Sequence, residues 1–201
     1  MKKFFVFLCS FLFVLNVSFS QELKLKSGNP AILKEIKTFN VEYDYEHMFV
    51  GEMTEAAYIQ KKIDEYTNKG LPEKGAEWKA KWISQRANFE AKFEELFNSM
   101  GMEYGAKISK DNASQYTMIV NTTHIEPGFN HVMVKDPAML SAEIIFVETA
   151  NKENVICVYS SIGNPGRDNR GKDFDAAVRI AEAYAKCAKE LPAFFNKTMW
   201  K

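Results

Sequence analysis

The 201-residue chain predicts an α+β fold: a mainly antiparallel sheet of about four to five strands with three helices packed on one face. Three observations point to it. Residues 39–46 alternate apolar and polar side chains without a break. Three longer stretches repeat apolar residues at helical spacing. The second half is a series of β-forming segments joined by turn chemistry at hairpin length, so neighbouring strands are expected to pair.

The first twenty residues stand apart. Lys2 and Lys3 precede an apolar run from Phe4 to Leu15 broken only by Ser10, and Ser18 and Ser20 supply small residues at an exit site. A positive head, an apolar middle and a small-x-small exit read as a secretory signal peptide, cleaved after Ser20. The run falls short of the roughly 20 apolar residues a membrane helix needs. No transmembrane span is expected in the mature chain, which would be periplasmic or extracellular. Leu8 stands before Cys9 where lipid attachment would want a small residue. Cleavage leaves 181 residues, expected as a polar leader over 21–30 and one α+β domain over 31–201.

Within the domain, Ile32, Leu33 and Ile36 share one side of a short helix over 31–37. In the strand over 39–46, period two puts Phe39, Val41, Tyr43 and Tyr45 on one face and Asn40, Glu42, Asp44 and Glu46 on the other. One face is therefore buried and the other wet. The acidic row runs parallel along a strand instead of converging, so it reads as a solvated face and not as a metal site.

Thr54 is a good N-cap for the first long helix, with Ala56, Ile59, Ile63 and Tyr66 at helical spacing and Gly70 and Pro72 as its stop. A second helix is expected over 77–100, with Trp78, Trp82, Phe89, Phe93, Leu96 and Met100 as its buried stripe. Such a stripe is core material, each buried ring contributing about 2–3 kcal/mol; Trp78 and Trp82 could stack on a ligand only if that helix start protrudes. Strands are expected over 116–125, 141–149 and 155–161, with a further short one over 130–134. The strand over 155–161 is apolar on both faces and should be central. A last helix, capped by Asp173, carries Phe174, Ala177, Ala181, Tyr184, Ala188 and Leu191 inward and should kink or end at Pro192.

Charge bounds the partners. Of 26 basic and 26 acidic residues, the first twenty hold two lysines and no acid, leaving 24 against 26 and a formal charge of −2. That balance speaks against a general nucleic-acid binder. No cofactor motif is present. Cys157 and Cys187 remain after cleavage, either as buried thiols or as a disulfide that export would permit.

Two clusters could carry chemistry. The segment over 163–172 places Arg167, Asn169, Arg170 and Lys172 among glycines just before a helix N-terminus, where backbone N–H groups and the helix dipole favour anions. Two arginines could clamp a carboxylate or phosphate there. The plainer reading is a long solvated turn in which Asp168 pairs with its arginines. The second cluster is His124, Glu126 and His131, ligand types suited to zinc but without the H-E-x-x-H spacing. Its plainer reading is an edge turn at Pro127-Gly128 with exposed histidines. His47 reads as a packing or capping residue.

The segments Phe93-Glu94-Glu95-Leu96-Phe97-Asn98, Glu126-Pro127-Gly128-Phe129-Asn130, Gly166-Arg167-Asp168 and Ala181-Glu182-Ala183-Tyr184-Ala185-Lys186 resemble a family of secreted Bacteroidetes proteins. The resemblance runs over nearly all of the mature chain. It implies a bacterial envelope location and brings no activity, so no catalytic residue is carried over. The element order is also similar to the N-terminal domain of TolB-type envelope proteins, an analogy of fold alone.

The function expected from these features is an exported cell-envelope binding or interaction module without catalytic residues, whose partner is an envelope protein or a small anionic ligand. The alternative is a hydrolase-like enzyme acting on an anionic or sugar substrate near the 163–172 segment.

Overall fold

The computed structural model describes residues 21–111, 114–130, 135–167 and 175–201. The fold is α+β; among the described residues ten strands form one mixed sheet of eight and a separate two-stranded sheet. The strands are β1 (Glu22–Gly28), β2 (Thr38–Asp44), β3 (Phe49–Val50), β4 (Met53–Thr54), β5 (Lys107–Ser109), β6 (Tyr116–Glu126), β7 (Phe129–Asn130), β8 (Lys135–Asp136), β9 (Ala138–Glu148) and β10 (Asn151–Gly166). The helices are α1 (Glu55–Asn68), α2 (Pro72–Ser84), α3 (Arg86–Gly101) and α4 (Ala176–Thr198).

The main sheet runs β1-β10-β9-β6-β2-β5, with the β3–β4 hairpin attached beside β6; β7 and β8 pair separately. The expectation of four to five mainly antiparallel strands is corrected on two counts. There are more strands, because several are only two or three residues long and too short to show a period. The sheet is also mixed: β2 is parallel to both β5 and β6, and β3 is parallel to β6. The helices between β2 and β5 return the chain to the end where β2 started, which parallel pairing requires.

The alternation over β2 holds only in part, since Phe39, Asn40 and Val41 are all buried. Phe39 and Val41 are buried under the helices, and the Tyr43 hydroxyl reaches the Glu90 carbonyl of α3 at 3.2 Å. Asn40, expected on the wet face, is buried beside Thr117, 3.4 Å from its hydroxyl. Residues 22–28, expected in a loose leader, form β1, an edge strand antiparallel to β10. Leu23 and Leu25 alternate there with Lys24 and Lys26, a period-two pattern diluted by lysines suited to an edge.

Thr54 caps α1 as expected, its hydroxyl accepting from Ala57 N at 3.3 Å. The single helix expected over 77–100 is two helices separated at Gln85, and the first of them begins at Pro72. Trp78 and Trp82 stack at 5.6 Å and both meet Tyr58 of α1, so they close the α1–α2 hairpin from within. Trp82 is buried and donates to Glu55 at 2.8 Å, and Arg86 pairs with the same carboxylate.

Helix α4 runs through Pro192 without ending. Its inward face is Ile180, Ala183, Tyr184, Cys187, Ala188, Leu191 and Phe195, rotated from the expected stripe; Ala177 and Ala181 are only half-buried. Phe195 meets Phe146 and Tyr159, and Tyr184 meets Phe89, so one aromatic core joins α3 and α4 to one face of the sheet. The cap of α4 is Asp175, which accepts from Ala177 N at 3.0 Å. Asp173 and Phe174 lie outside the described residues, as do residues 1–20, where a signal peptide is expected, and residues 131–134 of the expected extra strand. No helix among the described residues is long and apolar enough to cross a membrane.

Candidate functional site

The helix-free face of the sheet holds a hollow of about 460 Å³ at the end of β6, β9 and β10, where the β7–β8 ribbon folds over. Its position follows from register. His124 and Glu126 lie two residues apart on β6 and therefore project from the same face. His124 is opposite Ser141 and Glu126 opposite Met139 on β9, while Phe129 of β7 is opposite Asp136 of β8. Ile162, Gly163 and Pro137 complete the lining. The floor and walls are thus apolar, with four polar groups among them. Phe129 and Ile162 are 39% and 42% exposed at its rim.

The polar groups are positioned by named contacts. His124 Nε2 lies 3.1 Å from the Gly51 carbonyl oxygen. A carbonyl only accepts, so Nε2 carries a hydrogen. Ser141 is fixed by two neighbours: its carbonyl accepts from the Thr123 hydroxyl at 3.1 Å and its hydroxyl from Gly163 N at 3.4 Å. Neither Glu126 nor Asp136 is ion-paired among the described residues.

The turn between β6 and β7 is held from below by an arginine. Arg179 of α4 is buried and donates from Nε to the Pro127 carbonyl at 3.1 Å and from its terminal nitrogen to the Gly128 carbonyl at 3.0 Å. Two carbonyls in a tight turn gain charge-assisted donors in this way. Gly128 has φ +61°, and a side chain there would run into the Asp136 and Pro137 carbonyl oxygens, so glycine is needed for the ribbon to fold over the hollow.

Of the sequence candidates, the structure brings His124 and Glu126 together in this hollow. His131 lies outside the described residues, and no group of three or more His, Cys, Asp or Glu among the described residues is arranged to hold a metal. The segment over 163–172 is not wholly a loop. Residues 163–166 belong to β10, and Asn164 is fully buried, donating to the Leu140 carbonyl at 3.0 Å. Arg167 is exposed just past β10 and does not line the hollow. Asn169, Arg170 and Lys172 lie outside the described residues. Met139, Ile162 and Arg179 carried no local signal of a site: the first two are ordinary strand residues, and Arg179, two positions after Ala177, falls off the apolar stripe expected for the last helix.

His47 lines a separate hollow of about 670 Å³ between the β3–β4 hairpin and α1. Its Glu55 is already committed to Arg86 and Trp82, and its Thr54 to the α1 cap. The two cysteines are unlinked and buried. Burial pushes each thiol up to about 12, with Ser161 partly opposing the shift at Cys187. Thiols held protonated in this way are inert at neutral pH.

No known family model matches the chain, and no curated protein sequence matches it. Among solved structures, the PelC dodecamer from Paraburkholderia phytofirmans is matched over 84% of this chain and 98% of its own, at 11% identity and a TM-score of 0.38. A variant dodecamer of the same protein is matched over the same shares at 11% identity and 0.37. Likeness at that level carries no argument about this chain.

Proposed function

We propose that this chain is an exported binding module of the cell envelope that holds a small ligand in the hollow on the helix-free sheet face. The observation that carries the reading is the make-up of the hollow: an apolar floor with a few fixed polar groups, within the 300–1,000 Å³ typical of ligand sites. Its floor stands on β6, β9 and β10, long strands of a well-packed sheet, which favours a preformed site over an induced one. Export is supported by the charged head, apolar run and small exit residues at the start of the sequence.

Two measurements test the two halves of the proposal. In a screen of small fragments against isotope-labelled protein, binders are expected to shift the amide signals of Ser141 and Gly163, and Ile162→Trp, which fills the hollow from an exposed position, is expected to remove those shifts. Shifts confined to other surfaces would overturn the site. For export, mass analysis of the protein from its native host is expected to find a chain starting at Gln21 in the envelope fraction; an intact Met1 in the cytosol would overturn it.

A further inference from the structure

The hollow repeats one arrangement twice, and the repetition names a ligand class. On the β6–β9 pair, the Glu126 carboxylate stands opposite the Met139 thioether. On the β7–β8 pair, the Asp136 carboxylate stands opposite the Phe129 ring. Directly opposed side chains have Cβ atoms about 4.5–5.5 Å apart. Each pair therefore sets one negative charge beside one polarisable apolar surface.

The remaining chemistry has the same sign. Among the described residues, no lysine or arginine lines the hollow. The guanidinium of Arg179 lies behind the turn and is bound to the Pro127 and Gly128 carbonyls. His124 has its Nε2 hydrogen directed at Gly51 O. A guest therefore meets two carboxylates around an apolar floor. An anion would be repelled, and a purely apolar guest would strip water from both carboxylates without compensation.

We infer that the hollow takes a small organic amine: a protonated ammonium group on an apolar, preferably aromatic, body. The ammonium meets the carboxylates with charge-assisted hydrogen bonds and lies by the Phe129 face, which attracts cations. The body rests on Met139 and Ile162. This replaces the small anion expected from Arg167 and its neighbours, and it rests on the hollow being the binding site.

Three probes of nearly equal shape separate the possibilities: phenethylamine, phenethyl alcohol and hydrocinnamate, titrated against isotope-labelled protein at neutral pH. Phenethylamine is expected to bind ~10-fold more tightly than the alcohol, and hydrocinnamate more weakly than either. The double variant Glu126→Gln with Asp136→Asn keeps side-chain shape, so its amide spectrum away from the hollow should be unchanged. It is expected to bring the amine down to the affinity of the alcohol and to leave the alcohol as it was. Equal binding of all three probes, tightest binding by hydrocinnamate, or an amine affinity unmoved by the double variant would each overturn the amine assignment while leaving the hollow as a site. If none of the three shifts Ser141 or Gly163, the assignment is also overturned, and the broader fragment screen then decides the hollow separately.

Discussion

Gly166 shows how much a single missing side chain can settle. A Cβ there would collide with the Arg179 carbonyl oxygen and the Ala183 backbone nitrogen, so the end of β10 meets α4 backbone to backbone. Gly166→Ala must push strand and helix apart, and it is expected to cost ~3 kcal/mol, a fall of roughly 10 °C in Tm. Gly70→Ala is the control: φ is +73° but nothing lies within 4 Å, so only the left-handed backbone is penalised, at about 1 kcal/mol. Equal losses from the two substitutions, read by thermal melts, would contradict the close approach at Gly166. At this scale the sequence was partly legible. His124 and Glu126 attract notice because histidine and glutamate two apart on a strand share a face. Met139 and Ile162 do not, since each is an ordinary strand residue until register brings it beside the others. The 163–172 segment misleads for a similar reason: glycine, asparagine and proline read as turn chemistry, yet Asn164 satisfies its amide within the strand, against Leu140 and Ser161.

Among the elements, α4 begins at a cap that titrates. The Asp175 carboxylate is partly buried, which alone would raise its pKa, but the Ala177 N–H and the Lys81 ammonium at 3.0 Å outweigh that and lower it. A lowered carboxylate contributes stability above its unfolded value of 3.8 and loses it as pH falls through the folded value. Asparagine also caps well, so Asp175→Asn isolates the charge. The variant is expected to melt below the parent at pH 6 by under about 1 kcal/mol, since the pair is half exposed, and the gap should close towards pH 3. A gap independent of pH, measured by melting at both values, would rule out the ionic contribution. The elements also show where periodicity succeeds and fails. It found α1 and the cap Thr54, because a stripe and a cap are local. It ran α2 and α3 together, because Gln85 between them keeps a helical backbone that bonds to Lys81 and Phe89, and Trp82 and Phe89 stay in phase. It missed the parallel partners of β2, which lie on the far side of three helices.

The whole molecule has a chemical asymmetry: its buried titratable hydroxyls and thiols lie on the helix-covered side. Burial raises Tyr43, Tyr45 and Tyr184, with Glu94 and Glu90 adding to the rise at Tyr43. Burial raises Cys157 and Cys187 to about 12 from 9.0. A group whose folded pKa is raised contributes its full stability below its unfolded value and loses it as pH climbs. Stability is therefore expected to be flat with respect to these groups up to about pH 8. From about pH 9 upward it should fall, as the unfolded chain alone releases protons. Tyrosinate absorbance and circular dichroism should then change together in one cooperative step. Ionisation of all eight tyrosines well before the loss of helix would show that these rings are accessible. The broad class was readable from the order of segments, since stripes and alternation are properties of composition along a line. The mixed pairing was not, because strand order belongs to the closed sheet.

The position of β1 has a consequence in time. Glu22 faces Ile162 and Gly28 faces Cys157, so one of the first strands to be synthesised waits for one of the last. The opening strand of the sheet therefore docks last, onto an edge that β9 and β10 must first complete.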